Sequence, residues 1–215
     1  MQLSVSEFAE RKGISARRVQ AMIVDGRLSA SKVGGRYVID AAELSLEPRL
    51  GRSMSPHMAW AFLRHLAGEV DSSISATERA RLAARVQRLR ESEEPARLLR
   101  SWLGGRARRE LFWVDPRDAG QLRTDPSVHP SGVSDPRSGL SSGSEVEGYV
   151  RAVDLAGLRT DYLLVRDATP NVVFHVVDGD LSGVVASIGV LAADLAEHAG
   201  PREDGRVAEI VRGLR

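Results

Sequence analysis

The first 44 residues constrain the fold of this chain most, because they contain two short helical patterns separated by a single glycine. Ser6 is the predicted N-cap of the first helix, since a serine hydroxyl can accept a hydrogen bond from an early backbone N–H. Phe8 and Ala9 are its apolar positions. Gly13 is expected to end this helix, because the left-handed conformation that closes many helices is readily accessible only to glycine. Two helices packed around a tight turn are therefore predicted.

The second helix is predicted to begin after Ser15 and to bury one side. Its apolar positions recur at the spacing of one helix face, and they are Val19, Met22 and Ile23. The remaining residues near its N-terminal end are mostly polar or charged. Arginine can pair with guanine and glutamine with adenine in the major groove of DNA. The predicted DNA contacts of this helix are Ser15, Ala16, Arg17, Arg18 and Gln20.

A basic hairpin is predicted directly after the second helix. Two strand-like runs, 30–33 and 36–39, flank a Gly-Gly pair that is typical of a tight turn. Cations lie next to this turn, where a phosphate could bind. The predicted DNA contacts of the hairpin are Lys32, Gly34, Gly35, Arg36 and Tyr37. Asp40 is then the expected cap of a third helix that runs through Leu44.

The charge of this region favours a polyanionic partner. Between Arg11 and Arg36 there are seven lysines or arginines and one acid, Asp25. Such an excess supplies the sequence-independent part of DNA affinity. The alternative interpretation is a small helical bundle with a solvated basic face. We favour DNA binding, because helix, glycine turn, second helix, hairpin and third helix all occur in order.

Residues 3–44 resemble the winged helix-turn-helix of the excisionase and MerR-type superfamily. The matching segments are 4–9, 14–20, 25–28 and 33–39. The resemblance implies that the second helix reads the major groove of double-stranded DNA. It also implies that the glycine-containing wing lies by the backbone or the minor groove. One departure is Met22, which stands where many relatives carry tryptophan or another aromatic residue, at a position that faces the core.

Several classes of function are disfavoured by residues that are missing or scattered. The 215-residue chain has no cysteine, so it forms neither a disulfide nor a thiolate metal site. Its five histidines have no spacing typical of a metal site. They are His57, His65, His129, His175 and His198. No residue set fits the roles of a catalytic centre, so we predict no enzymatic activity, no metal and no other cofactor.

The chain is also expected to have no membrane partner. No apolar run reaches the length of a membrane span, and no N-terminal signal sequence is recognisable. We therefore expect a cytoplasmic protein.

The remaining residues are predicted to complete an α+β fold. A linker is expected over 45–53, since periodicity is lost there and Pro48 and Gly51 occur. Three domains follow from this division: a winged helix-turn-helix, 1–47; a helical segment, 54–104; and an α+β domain with a small antiparallel sheet and C-terminal helices, 105–215.

Helical and strand patterns alternate with one long loop. Helices are predicted after the caps Ser55 and Ser75 and over 95–103, 188–198 and 202–214. Strands are predicted at 109–114, 146–154, 161–165 and 172–177, the last three as an antiparallel meander. Residues 124–144 are predicted as a long loop, of the kind that is often mobile.

Charged residues of this second part are interpreted as local features. Asp194 and Glu197, with Arg202 nearby, are expected to form a surface ion pair or a helix cap. His175 is expected to be partly buried and hydrogen-bonded. The arginines between 79 and 100 form either a solvated face, which we favour, or an auxiliary DNA-contacting surface.

The whole layout is similar to the antitoxin regulators of AbiEi-type, or type IV, toxin–antitoxin systems. The similarity includes a terminal helix pair with segments 193–197 and 201–203. It implies an N-terminal winged helix that represses its own operon and a C-terminal domain with antitoxin activity toward a cognate toxin protein.

Three functions are consistent with these patterns. The leading one is a sequence-specific transcriptional regulator that binds DNA as a homodimer, with the antitoxin role as a special case. The second is an excisionase-like recombination factor, which the large C-terminal part disfavours. The third is a ligand-sensing repressor, which would need a sizeable apolar pocket.

Overall fold

The structure is a computed structural model that describes residues 2–24, 28, 30–33, 35–40, 53–69, 71–140, 143–166, 169–179 and 183–214. Helices combine with two small sheets, so the fold belongs to the predicted α+β class. The chain divides into an N-terminal unit, Met1–Pro48, and a C-terminal unit, Arg49–Arg215.

In the N-terminal unit a three-stranded antiparallel sheet accompanies two helices. The elements are β1 (Gln2–Ser4), α1 (Val5–Lys12), α2 (Ala16–Val24), β2 (Ser31–Val33) and β3 (Arg36–Asp40). Strand β3 lies between β1 and β2. The predicted hairpin is confirmed. Strand β1 was not predicted, because three residues are too few to show a strand periodicity.

Helix α1 begins earlier than predicted, because Ser4 rather than Ser6 is its N-cap. The Ser4 hydroxyl accepts a hydrogen bond from the backbone N–H of Glu7 at 3.2 Å. The Glu7 carboxylate in turn accepts from the backbone N–H of Ser4 at 2.8 Å. This reciprocal pair is a capping box, which needs glutamate three residues after the serine. Ser6 has no glutamate at that spacing and lies inside the first turn.

The core of the N-terminal unit contains side chains from both helices and the sheet. Its buried members are Leu3, Phe8, Ala9, Val19, Leu28 and Ile39, and the predicted Met22 and Ile23 pack against them. Gly13 ends α1 with a φ of +64°, as predicted. Asp40 is the last residue of β3. The predicted helix through Leu44, most of the linker and Gly34 lie outside the described residues.

Three helices open the C-terminal unit, and the structure confirms their predicted starts. They are α3 (Pro56–Leu66), α4 (Ala76–Arg90) and α5 (Pro95–Leu103). The Ser55 hydroxyl accepts from the backbone N–H of Met58 at 3.4 Å. Ser75 and Glu78 form a second capping box, with distances of 3.2 and 2.8 Å.

The rest of the unit contributes a four-stranded sheet and four helices among the described residues. In chain order these elements are β4 (Arg108–Phe112), α6 (Ala119–Arg123), β5 (His129–Pro130), β6 (Val146–Arg151), α7 (Leu155–Asp161), β7 (Val172–Val177), α8 (Ile188–Glu197) and α9 (Pro201–Gly213).

This sheet is mixed, so the predicted antiparallel meander is wrong. Its strand order is β4-β7-β6-β5. Strand β7 pairs antiparallel with β4 but parallel with β6, with Val146 opposite Val172. Parallel neighbours require a crossover connection, and α7 lies within it. The strand predicted at 161–165 is therefore also wrong, and only Val165 makes an isolated bridge, to Trp113.

Side chains alternate between the two faces of the sheet, and each face contributes to a different core. On one face Phe112 and Phe174 pack with α7 through Leu158. On the other face Tyr149 belongs to a larger core that is built mainly from helices α3, α4, α5, α8 and α9. The predicted helical segment 54–104 therefore shares its core with the residues that follow.

The described residues of the predicted long loop, 124–140 and 143–144, contain short elements of regular structure. They contain β5 and two short 3₁₀ turns, Gly132–Ser134 and Pro136–Ser138. The stretch from Ser131 to Asp135 is buried. Buried backbone needs hydrogen-bond partners, and Ser131 provides one example by donating its N–H to the carbonyl of Glu147 at 3.0 Å.

Candidate functional site

Helix α2 presents four of the ten predicted DNA contacts to solvent. The side chain of Val19 is fully buried in the core of the N-terminal unit. Side chains project in all directions around a helix, so burial of Val19 determines which side of α2 faces the core of the N-terminal unit and which faces solvent. Besides Ala21, the exposed residues of its first two turns are Ala16, Arg17, Arg18 and Gln20. All four were predicted as contacts.

The N-terminal end of α2 is closed by Ser15, as predicted. Its hydroxyl accepts a hydrogen bond from the backbone N–H of Arg18 at 3.3 Å. The first turn of a helix carries partial positive charge from its backbone N–H groups. The guanidinium groups of Arg17 and Arg18 add to that potential at the same end. This end of α2 is therefore suited to a phosphate or to base edges that accept hydrogen bonds.

The hairpin that follows α2 brings the other predicted contacts together at one end. Lys32 is paired in register with Tyr37, and Val33 with Arg36. Gly35 adopts a φ of +79°, a conformation that L side chains rarely adopt. Tyr37 is partly buried. The backbone thus places Lys32 and Arg36 near the turn, at the end of the hairpin that a wing would present.

Sequence reasoning missed a polar cluster inside the C-terminal unit, called here the buried charge cluster. Its members are Arg106, Ser131, Glu147, Tyr149, His175, Asp194, Glu197 and His198. They come from the turn after α5, from the buried stretch near β5, from β6 and β7, and from the end of α8. The cluster therefore connects the sheet to the helical layer.

Arg106 is the centre of one half of the buried charge cluster, and its side chain is 1% exposed. Its guanidinium donates to the carboxylates of Asp194 and Glu197. It also donates to the hydroxyl of Tyr149 at 2.8 Å, and that hydroxyl donates to Asp194 at 2.8 Å. The hydroxyl of Ser131 donates to the other carboxylate oxygen of Asp194. A buried arginine with this many partners is satisfied, because each ionised group has charge-assisted hydrogen bonds.

Glu147 is the centre of the other half, with a side chain 2% exposed. Its carboxylate lies 3.1 Å from Nε2 of His175 and 2.7 Å from Nε2 of His198. The backbone N–H of Val133 donates to it at 3.0 Å. Gly132 is required beside it, since an added Cβ would lie 1.8 Å from a carboxylate oxygen.

Burial and pairing displace the pKa values of these groups. Burial opposes ionisation of Glu147, but its hydrogen bonds with His175 and His198 outweigh burial and lower its pKa to about 2. The hydrogen bond to Glu147 raises the pKa of His198. Burial opposes the charge of Arg106, yet the neighbouring acids raise its pKa well above the usual value. Pairing therefore favours the ionised forms of Glu147, His198 and Arg106. Burial, by contrast, raises the pKa of Asp194.

The predicted roles of Asp194, Glu197 and His175 are corrected by this cluster. Asp194 is fully buried and Glu197 has a side chain only 12% exposed, so the pair does not lie at the surface. His175 is hydrogen-bonded, as predicted, but buried rather than partly buried. A signal was present in α8, whose residues 188–196 are apolar except for Asp194 and include Gly189. A helix apolar on all sides is buried, so its acid must be paired.

The arginines between 79 and 100 have mixed surroundings. Arg85 and Arg88 lie over the ring of Trp102, with distances of 5.4 and 5.7 Å to its centre. Arg100 donates to the carbonyl of Ala196 at 2.5 Å. These contacts show that part of the set packs against the fold rather than forming one uniform charged face.

Two further observations concern metals and membranes. Within the described ranges no group of three or more histidine and acidic side chains could hold a metal ion. Among the same residues no helix combines the length and apolar character needed to cross a bilayer.

No protein-family model, curated protein or solved structure matches this chain.

Proposed function

We propose that this protein is a sequence-specific, DNA-binding transcriptional regulator whose N-terminal unit is a winged helix-turn-helix. In this proposal α2 enters the major groove, and the β2–β3 hairpin is a wing beside the phosphate backbone. The single observation that carries it is the exposure of Arg17, Arg18 and Gln20 on α2, whose Val19 is buried. The support comes from three features together: the glycine turn, the exposed cations of α2 and the basic hairpin.

The part of the second unit from Glu145 onward is suited to a partner other than DNA. From Glu145 to the C-terminus there are twelve acids and seven arginines, a balance that disfavours a polyanion. We assign this part to homodimerisation or to a cognate toxin protein. Under the antitoxin hypothesis the chain would repress its own operon and act in the cytoplasm.

The proposal is tested by replacing Arg17 and Arg18 individually with alanine. Loss of a side chain that reads a base edge is expected to weaken binding to the protein's own promoter by about tenfold or more. The measurement is fluorescence anisotropy with a labelled promoter duplex and, in parallel, a scrambled duplex of equal length. Base readout predicts a larger loss on the promoter than on the scrambled duplex.

Arg11→Ala is a matched control, because Arg11 is exposed at the end of α1 and its loss changes the net charge equally. It should weaken both duplexes slightly and to the same degree. If the α2 variants behave like this control, α2 does not read DNA sequence and the proposal fails.

Chain size favours a regulator over an excisionase-like recombination factor. A recombination factor of that kind consists of little more than the winged helix, whereas here Arg49–Arg215 forms a second folded unit. The neighbouring gene would separate the two hypotheses further. A nucleotidyltransferase beside it would favour the antitoxin, and an integrase would favour the recombination factor.

A further inference from the structure

A cavity of about 610 Å³ lies on the C-terminal unit, and Arg106 of the buried charge cluster forms part of its wall. It is formed by α3, the turn between α5 and β4, the end of β7 and the 3₁₀ turn near Val185. Its apolar lining consists of Trp60, Ala107, Val176, Val177 and Val185. Pockets for small molecules commonly enclose about 300–1,000 Å³ and are mostly apolar. This cavity satisfies both conditions.

The indole of Trp60 is a fixed wall of the cavity. Its Nε1 donates to the carbonyl of Arg106 at 2.9 Å, so the polar atom of the ring is already satisfied. The ring also packs edge-on to Tyr149, with ring centres 5.7 Å apart. Trp60 remains partly exposed. A fixed, partly exposed indole offers an apolar surface on which a flat ring can stack.

Cationic side chains outnumber acids at the rim of the cavity. Its lining includes the arginines Arg64, Arg106 and Arg108 against one acid, Asp178, and Arg106 is already paired within the buried charge cluster. Arg64 is held through Nε by Asp71 at 2.8 Å, and Arg108 is held through one terminal nitrogen by Glu110. Both carboxylates are nearly buried, with side chains 9% and 10% exposed.

These ion pairs fix the two guanidinium groups without using all of their donors. A guanidinium carries five N–H donors, and each of these ion pairs is made through a single nitrogen. The remaining N–H groups can donate to an anionic group at the rim, and such charge-assisted hydrogen bonds are stronger than neutral ones. The cavity thus has an apolar wall and a cationic rim.

We propose that this cavity binds a small organic anion with a flat apolar body, such as an aromatic carboxylate or sulfonate. The ring lies against Trp60, and the anionic group accepts hydrogen bonds from Arg108 and Arg64. The site lies wholly within the C-terminal unit, and its occupation does not depend on DNA binding. Failure of this proposal therefore leaves the proposed DNA-binding function unaffected.

The experiment titrates the full chain with 8-anilino-1-naphthalenesulfonate, an aromatic sulfonate whose fluorescence rises in apolar sites. One saturable site per chain is expected. Arg108→Gln should weaken binding by about tenfold, because a charge-assisted hydrogen bond is lost. Ala107→Phe should weaken it further by filling the cavity. The neutral analogue N-phenyl-1-naphthylamine should respond to Ala107→Phe but not to Arg108→Gln.

Arg212→Gln is the matched control, because Arg212 is exposed on α9 and does not line the cavity. It removes the same charge and should leave the affinity within about twofold. The proposal is overturned if Arg108→Gln and Arg212→Gln have equal effects, or if Ala107→Phe leaves affinity unchanged. Thermal melts of each variant verify that the C-terminal unit is folded. Arg108→Ala replaces Arg108→Gln, and Ala107→Leu replaces Ala107→Phe, if the first variant is unfolded.

Discussion

Glu147 illustrates how one buried residue can link three parts of the chain. Its carboxylate contacts His175 on β7, His198 after α8 and the backbone N–H of Val133. A buried carboxylate without such partners would be expensive to ionise. The contacts instead keep it charged, with a pKa of about 2. Stability of this region should therefore depend on the protonation of both Glu147 and His198.

The pH dependence of stability can be derived from this pair. The pKa of His198 is raised in the fold by Glu147 and less strongly by Glu203, while burial and Arg109 oppose the rise. Its stabilisation is therefore complete below the unfolded pKa of about 6.5 and is lost as pH rises through the folded pKa. Glu147 has the opposite sign, because its lowered pKa stabilises the fold above about pH 4.5 and this is lost as pH falls toward about 2.

Replacing His198 with glutamine should remove the loss of stability that occurs above about pH 6.5. Glutamine keeps an N–H donor for Glu147 but carries no charge. The measurement is urea unfolding of both proteins between pH 5 and 9, with the difference in free energy plotted against pH. Wild type should be more stable at pH 6, and the two curves should converge at high pH. A pH-independent difference would mean that His198 acts only through packing.

His129→Gln provides the comparison for a general histidine effect. His129 lies exposed on β5 in the same unit. Its stability difference from wild type should stay small at every pH.

At the scale of elements, the β2–β3 hairpin allows a prediction about how DNA binding depends on salt concentration. Arg36→Ala should weaken binding to all duplexes alike and lower the slope of log affinity against log salt by about one, the value for one phosphate contact. The measurement is binding to the promoter duplex at several salt concentrations. Arg212→Ala, at an exposed position on α9, should leave the slope unchanged. An unchanged slope in Arg36→Ala would place the wing away from the backbone.

Patterns between residues close together in the sequence were sufficient to predict several helices. Helix α4 begins where a serine and a glutamate three residues later form a capping box, and its buried stripe recurs at helical spacing. Helix α1 has the same signal at Ser4 and Glu7, which the choice of Ser6 overlooked. These elements depend on neighbours three or four residues apart, so the sequence contains the information directly.

The sheet of the C-terminal unit could not be predicted in the same way. The run before Val165 is short and mostly apolar, and short apolar runs do not identify a strand. In the structure Leu163 and Val165 are exposed rather than part of a buried strand. The parallel pairing of β6 with β7 depends on the path of the connection through α7. Pairing between distant strands is determined by tertiary packing rather than by local pattern.

At the scale of the whole molecule, the division into two units differs from the three domains expected from sequence. Trp102 on α5 lies in one core with Leu191 on α8 and Val207 on α9. Helices α3 to α5 would expose this apolar surface without the rest of the unit. Burying it is favourable by roughly 25 cal/mol for each Å².

A fragment of residues 53–104 is therefore expected to be mostly unfolded, whereas a fragment of residues 53–215 should fold. Circular dichroism and thermal melting would measure helix content and cooperativity in each fragment. The longer fragment should lose its helical signal in a single transition. A cooperative transition in the short fragment would show that the helical segment is an independent domain.

The sequence by itself determined the α+β class, most helix starts, the glycine turn after α1 and the exposed positions of α2. These depend on caps, periodicity and chain conformation, all of which act between near neighbours. Only the tertiary structure decided the mixed sheet and the buried charge cluster. Arg106 and Asp194 are 88 residues apart along the chain, and their pairing exists because the fold removes both from water.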